Sequence, residues 1–151
     1  MRASSIVIAI VAAGLLGGCG GGDDDTQANN SYVGAVNAAQ TRFSTSIARI
    51  GADTSSSEVT AATVSRWSGA VDRMRRDLRA IKAPGSVDRL HTQLVDEITD
   101  FRGALTKAQR ALRSGNRKAI LAERARLVVS ARRATRQIER TLTGIDRTLG
   151  S

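Results

Sequence analysis

"VSRWSGAVDRMRRDLRAIKAPGS", residues 64–86, places Val64, Trp67, Val71, Met74, Leu78 and Ile81 at alternating intervals of three and four. That is the heptad spacing of a helix that buries one narrow stripe. Charged residues fill the positions between, among them Asp72, Arg73, Arg76 and Asp77, so the opposite face stays in water. The run stops at Pro84, which lacks the amide proton a helix interior needs and disfavours helical geometry at Ala83. "APGS" therefore reads as a turn, with Ser86 placed to cap the next helix. Upstream, Ser55 and Glu58 fit a capping box, which predicts a helix continuing from there to about Lys82.

The same period extends in both directions. A helix is predicted over Ser31–Ile50, with Tyr32, Val36, Ala39, Phe43, Ile47 and Ile50 as its stripe and Gly51 as its stop. A third helix carries Val87, Leu90, Leu94, Ile98, Phe101, Leu105, Ala108 and Leu112, and ends at Ser114–Gly115–Asn116. Gly115 suits the left-handed position after a helix, and Asn116 can accept from the first amides of the next. The fourth helix runs over Arg117–Leu149 with Leu121, Val128, Ala131, Thr135, Ile138, Leu142, Ile145 and Leu149 as its stripe, and Gly144 is placed to fray its last turn. No alternating strand pattern competes. Short turns force antiparallel neighbours, so the fold class is all-α, an up-down-up-down four-helix bundle over residues 31–151. Many stripe positions are alanine, which predicts a thin core. A bundle that dimerises through a leftover apolar stripe is the alternative, and the sequence leaves the oligomeric state open.

The first thirty residues are of another kind. Ile6–Leu16 is an apolar run of eleven residues after Arg2. A bilayer span takes roughly 20. The run therefore reads as the apolar core of an export signal. "LGGC" comes next, with an aliphatic Leu16, small Gly17 and Gly18, then Cys19, the chain's one cysteine. This boundary resembles the lipobox of bacterial lipoproteins. The resemblance implies that residues 1–18 are a signal peptide cut before Cys19, and that Cys19 carries a thiol-linked diacylglyceryl group with palmitate-type chains. It also implies that the protein sits on the extracytoplasmic face of the bacterial cell membrane. Two acyl chains make such attachment lasting where one is marginal. The alternative is an ordinary secretory peptide cut near Ala12–Gly14. "GGGDDDTQANN", residues 20–30, has no apolar period and reads as a flexible tether of roughly 18 Å root-mean-square reach. The domain plan is thus signal peptide 1–18, lipidated cysteine and tether 19–30, and bundle 31–151.

Beyond residue 18 the chain keeps 22 basic and 14 acidic side chains, a net +8. In the antiparallel topology the half nearest the membrane is neutral and the whole excess lies in the far half. Arg102, Lys107, Arg110, Arg113, Arg117, Lys118, Arg124 and Arg126 surround the hairpin between the third and fourth helices. Charges so far from the lipid are screened from it, since the Debye length is about 8 Å. The cluster is instead a candidate surface for an anionic polymer or an acidic protein. The bland alternative is compositional, for arginine outnumbers lysine twenty to three. Nucleic acid is not expected, because export separates the chain from the genome and its four aromatic residues sit at stripe positions.

Nothing in the chain points to catalysis. No GxSxG elbow or phosphate-cradling glycine loop occurs, and the lone His91 has no second histidine for a zinc or haem constellation. No cofactor or metal is expected. His91 reads as a residue packed at the helix border, and Trp67 as core. Asp96, Glu97 and Asp100 form the densest acidic patch, expected to pair with Arg102 or an arginine of the fourth helix rather than hold a cation. "PGSVDRLHTQLVDEITDFRGALTKAQRALRSGN", residues 84–116, resembles a pattern in small exported helical proteins of actinobacteria; the resemblance implies a bundle and brings no activity. The function expected is a non-enzymatic binding module anchored in the cell envelope. The alternative is a small-molecule-sensing or accessory periplasmic helical domain. Cys19→Ser is expected to release the protein from the membrane fraction or block its processing, as read by fractionation and immunoblot; unchanged partitioning contradicts lipid attachment.

Overall fold

The computed structural model describes residues 23–52 and 59–150. Leu16, Gly17, Gly18 and Cys19, and the Ser55 and Glu58 pair, lie outside the described residues. Within them the chain forms α1 (Asp23–Ala52), α2 (Ala61–Ala80), α3 (Asp88–Ser114) and α4 (Arg117–Leu149). The helices pack in chain order, α1 on α2, α2 on α3 and, most extensively, α3 on α4. This is an all-α, up-down-up-down four-helix bundle.

Three helix starts differ from the sequence reading. α1 begins at Asp23 rather than Ser31, so residues 23–30, expected to be tether, are helical. No glycine or proline interrupts the run from Asp23 to Asn30, so nothing in the backbone stops the helix from extending back to there. α2 is capped by Thr60, whose side-chain oxygen accepts from the Thr63 amide at 3.1 Å. α3 has Val87 at its cap position with no side-chain hydrogen bond, so Ser86 does not serve. The turn closes instead through the Val87 amide, which donates to the Pro84 carbonyl at 3.0 Å. The α3–α4 corner matches expectation: Gly115 is left-handed at φ +68°, and Asn116 Oδ1 accepts from the Ala119 amide at 3.1 Å. α4 passes through Gly144 unbroken. An added Cβ there would stand 3.5 Å from both Leu90 methyls, so the bare backbone packs against a side chain of α3.

One stripe of each helix forms the core. Val36, Val64, Val71, Met74, Leu78, Val87, Leu94, Ile98, Leu105 and Ile145 are all but sealed from solvent. Ala39, Ala70, Ala108, Ala131 and Ala134 fill the seam between them, and Trp67 and Ile47 are half-buried at its margin. The stripe of α4 needs correction: Leu121 is 57% exposed, and Leu127 and Ala134 are buried where Val128 and Thr135 were expected. Apolar residues stand side by side at 120–121 and 127–128, so the period alone does not choose between them. The seam takes Leu127, and three and seven residues back it reaches Arg124 and Ile120, both half-buried, leaving Leu121 outside.

His91 is buried and joins three helices, a larger role than the border packing expected of it. Its Nε2 lies 3.1 Å from the carbonyl oxygen of Leu78, near the end of α2. A carbonyl only accepts, so Nε2 carries the proton and Nδ1 is left as an acceptor. Tyr32 of α1 lies 3.1 Å from Nδ1, and its hydroxyl donates there. The two rings meet edge to face with centroids 5.6 Å apart. The Leu78 carbonyl also takes the Ile81 amide at 3.0 Å, so the imidazole completes the end of α2.

Burial pushes the Tyr32 hydroxyl from 10 up to about 12. An unfolded tyrosine ionises near 10, so this group's contribution is full below about pH 10 and lost as pH rises toward 12. Tyr32→Phe should remove that share of alkaline destabilisation in urea titrations between those pH values. His91→Ala should lower stability at pH 7 by about 2–4 kcal/mol, through a cavity and a stranded buried hydroxyl. A loss within experimental error contradicts the bridge.

Candidate functional site

The basic hairpin is built by the end of α3, the left-handed Gly115 and the start of α4, with Asn116 fixing the entry to α4. It lies at the end of the bundle opposite the Tyr32–His91 bridge. The eight cations singled out by sequence divide into two groups. Three have a partner among the described residues. Arg102 donates from Nε to Asp72 Oδ2 of α2 at 2.9 Å and reaches the Thr106 hydroxyl. Arg124 sits on the α4 seam, where its Nη2 donates to the Val59 carbonyl at 3.2 Å, just ahead of α2. Arg126 pairs with Glu123, three residues before it on the same helix.

The other five are Lys107, Arg110, Arg113, Arg117 and Lys118, all exposed and none in an ion pair or side-chain hydrogen bond among the described residues. They occupy the last turns of α3 and the first turn of α4. Arg113 is well placed, since a cation at a helix C-terminus is favoured. Arg117 and Lys118 are placed against the dipole of α4, whose first turn holds no acid to offset them. Each such cation forgoes roughly 0.3–1 kcal/mol. The hairpin tip is thus a positive surface whose five cations are in no ion pair among the described residues.

The acidic patch does not form as a unit. Asp96 and Asp100 are exposed, while Glu97 is buried between α3 and α4. Arg102, expected to serve these acids, is taken by Asp72. Glu97 Oε1 accepts from Gln93 Nε2 at 3.0 Å and from the Thr141 hydroxyl at 2.9 Å. Gln93 Nε2 also reaches Thr141 Oγ1 at 3.0 Å, so the three side chains form a polar knot in the seam. Sequence reading misses it because Thr141 stands beside Leu142, and the apolar stripe runs through the leucine. Glu97 sits one residue before the stripe residue Ile98, and His91 one residue after Leu90; in both cases the off-stripe residue is buried. Among the described residues no three histidine, cysteine or acidic side chains gather as metal ligands do, and no helix is long and apolar enough to cross a membrane.

No family model matches the chain, and no curated protein or solved structure matches it either.

The division of the cations predicts different costs of removal. Arg110→Ala, Arg113→Ala and Arg117→Ala should each leave stability within about 0.5 kcal/mol in denaturant titrations. Arg124→Ala should lower it by about 1–2 kcal/mol, because the Val59 carbonyl loses a charged donor. Equal costs for all four contradict the division.

Proposed function

We propose that this chain is an exported lipoprotein, cut after Leu16–Gly17–Gly18 and held by acyl chains on Cys19 at the extracytoplasmic face of a bacterial membrane. Its bundle acts there as a non-enzymatic binding module, presenting the basic hairpin to an anionic partner, either a polymer or an acidic protein surface. The observation that carries the reading is the set of five exposed cations at the hairpin that no carboxylate among the described residues neutralises. A solvated helix face only needs charge of some sign, and alternating signs serve it better. Here one sign is concentrated at one tip, and two of its members stand where the helix dipole opposes them.

The topology supports the orientation. α1 begins four residues after Cys19, a step that spans at most about 14 Å. The anchor therefore belongs to the end of the bundle that holds Tyr32 and the α2–α3 turn. α4 is 33 residues long, about 50 Å at 1.5 Å per residue, and carries the hairpin to the far end. At that height the cations are several Debye lengths from lipid headgroups and free to meet a partner in the envelope.

A polyanion column tests the reading. The protein should bind heparin-agarose at low salt and elute steeply as salt rises, because each neutralised anion releases counterions. Arg110→Glu, Arg113→Glu and Arg117→Glu together should abolish retention at the salt where the native protein is held. Retention that ignores both salt and these reversals contradicts the proposal.

A further inference from the structure

A groove of about 740 Å³ runs between α3 and α4, and Glu97 stands in its wall. Only 7% of that residue is exposed, and its carboxylate is half used. Oε1 takes the two donors of the polar knot, while Oε2 is shielded from water and meets no donor. No ion pair among the described residues includes Glu97, in a chain with 23 basic side chains. A buried carboxylate oxygen without a partner is costly, and more so when the group is charged. A hydrogen-bond donor that enters along the groove and reaches Oε2 would relieve that cost.

The rest of the lining says what kind of molecule brings that donor. Asp100 lies one turn of α3 from Glu97, exposed and in no ion pair among the described residues, and adds a second negative charge at the same end. Ala104 and Ala134 line the middle, leaving an apolar floor with room above it. Arg133 stands eight residues along α4 from Thr141, the partner of Glu97, which is roughly 12 Å by helix rise. Lys107 stands ten residues along α3, roughly 15 Å. Neither is in an ion pair among the described residues. From Glu97 toward the hairpin the groove runs acid, apolar, base, and beyond these two cations its lining ends at Glu123 and Arg126, which pair with each other. Its volume lies within the range of about 300–1,000 Å³ common for small-molecule sites.

The geometry points to a binding site for a small zwitterion. A primary ammonium is held by Glu97 Oε2 with Asp100, a short apolar body lies over Ala104 and Ala134, and an acidic group reaches Arg133 and Lys107. The site shares Lys107 with the hairpin cluster, but Glu97, Asp100 and Arg133 belong to the groove alone, and Arg110, Arg113 and Arg117 do not line it.

Calorimetric titration of the full-length chain with 6-aminohexanoate, hexylammonium and hexanoate tests it. 6-Aminohexanoate should bind saturably, at least tenfold tighter than either of the others. Glu97→Gln should lose tenfold or more of that affinity while keeping its helicity and thermal midpoint. Arg133→Gln, at an exposed position, should weaken the zwitterion and leave hexylammonium unchanged. The triple reversal at Arg110, Arg113 and Arg117 should bind 6-aminohexanoate as the native chain does. Absence of saturable binding, hexanoate binding as tightly as the zwitterion, or indifference to Glu97→Gln overturns the assignment. Loss of binding in the triple reversal with Glu97→Gln unaffected places the ligand at the hairpin and overturns it equally.

Discussion

A buried imidazole held between a tyrosine hydroxyl and a helix-end carbonyl ties α1, α2 and α3 together at one end of the bundle. Val36, Phe43 and Ile50 hold α1 to the core by apolar contact, with Ala39 between them and Ile47 half-buried, and the imidazole adds the directional polar tie that such contact lacks. The ion pair between Arg42 of α1 and Asp77 of α2, at 3.0 Å, is largely exposed and so contributes little. The single cysteine leaves no disulfide to take over. His91 supplies direction where alanine supplies only closeness: both ring nitrogens are satisfied in one orientation, with one tautomer. A residue that fixes three helices at one end also fixes which end that is, and through the antiparallel topology it sets the basic hairpin at the other.

Most of the fold is legible in the apolar spacing. Residues such as Val36, Val71, Met74, Leu94, Leu105 and Ile145 lie on uninterrupted three-four stripes, and each is buried as the spacing requires. The pattern fails where it is degenerate. Leu121 and Leu127 both fit some stripe through α4, and the fold buries Leu127 on the side where Arg124 reaches the chain ahead of α2. Helix starts are less legible, because caps are chosen by local geometry among several eligible side chains. Thr60 caps α2 in place of the Ser55 position, and three aspartates that read as solvated tether begin a helix.

The polar interior is the least legible part. His91 and Glu97 each stand one residue off a stripe, and an off-stripe polar residue reads as surface until a partner from another helix is in place. Tyr32 is that partner for the first, Thr141 for the second. No spacing rule within a single helix reveals a contact 59 or 44 residues away. The hairpin cations show the opposite behaviour. Their clustering is plain in the sequence, but the fold sorts them, giving Arg102, Arg124 and Arg126 partners and leaving the five around the turn in no ion pair among the described residues.

In the function proposed for this chain the two ends of the bundle take different tasks: attachment where α1 begins, and exposed positive charge at the α3–α4 hairpin, the length of α4 or about 50 Å away. The proposal rests on acylation of Cys19, which would make the α1 end the membrane end. Intact-mass analysis of the protein purified from its native membrane tests this most directly. The expected product begins at Cys19, lacks residues 1–18 and carries the added mass of fatty acyl chains on that residue. A free thiol at Cys19, or a chain that retains its leader, contradicts it.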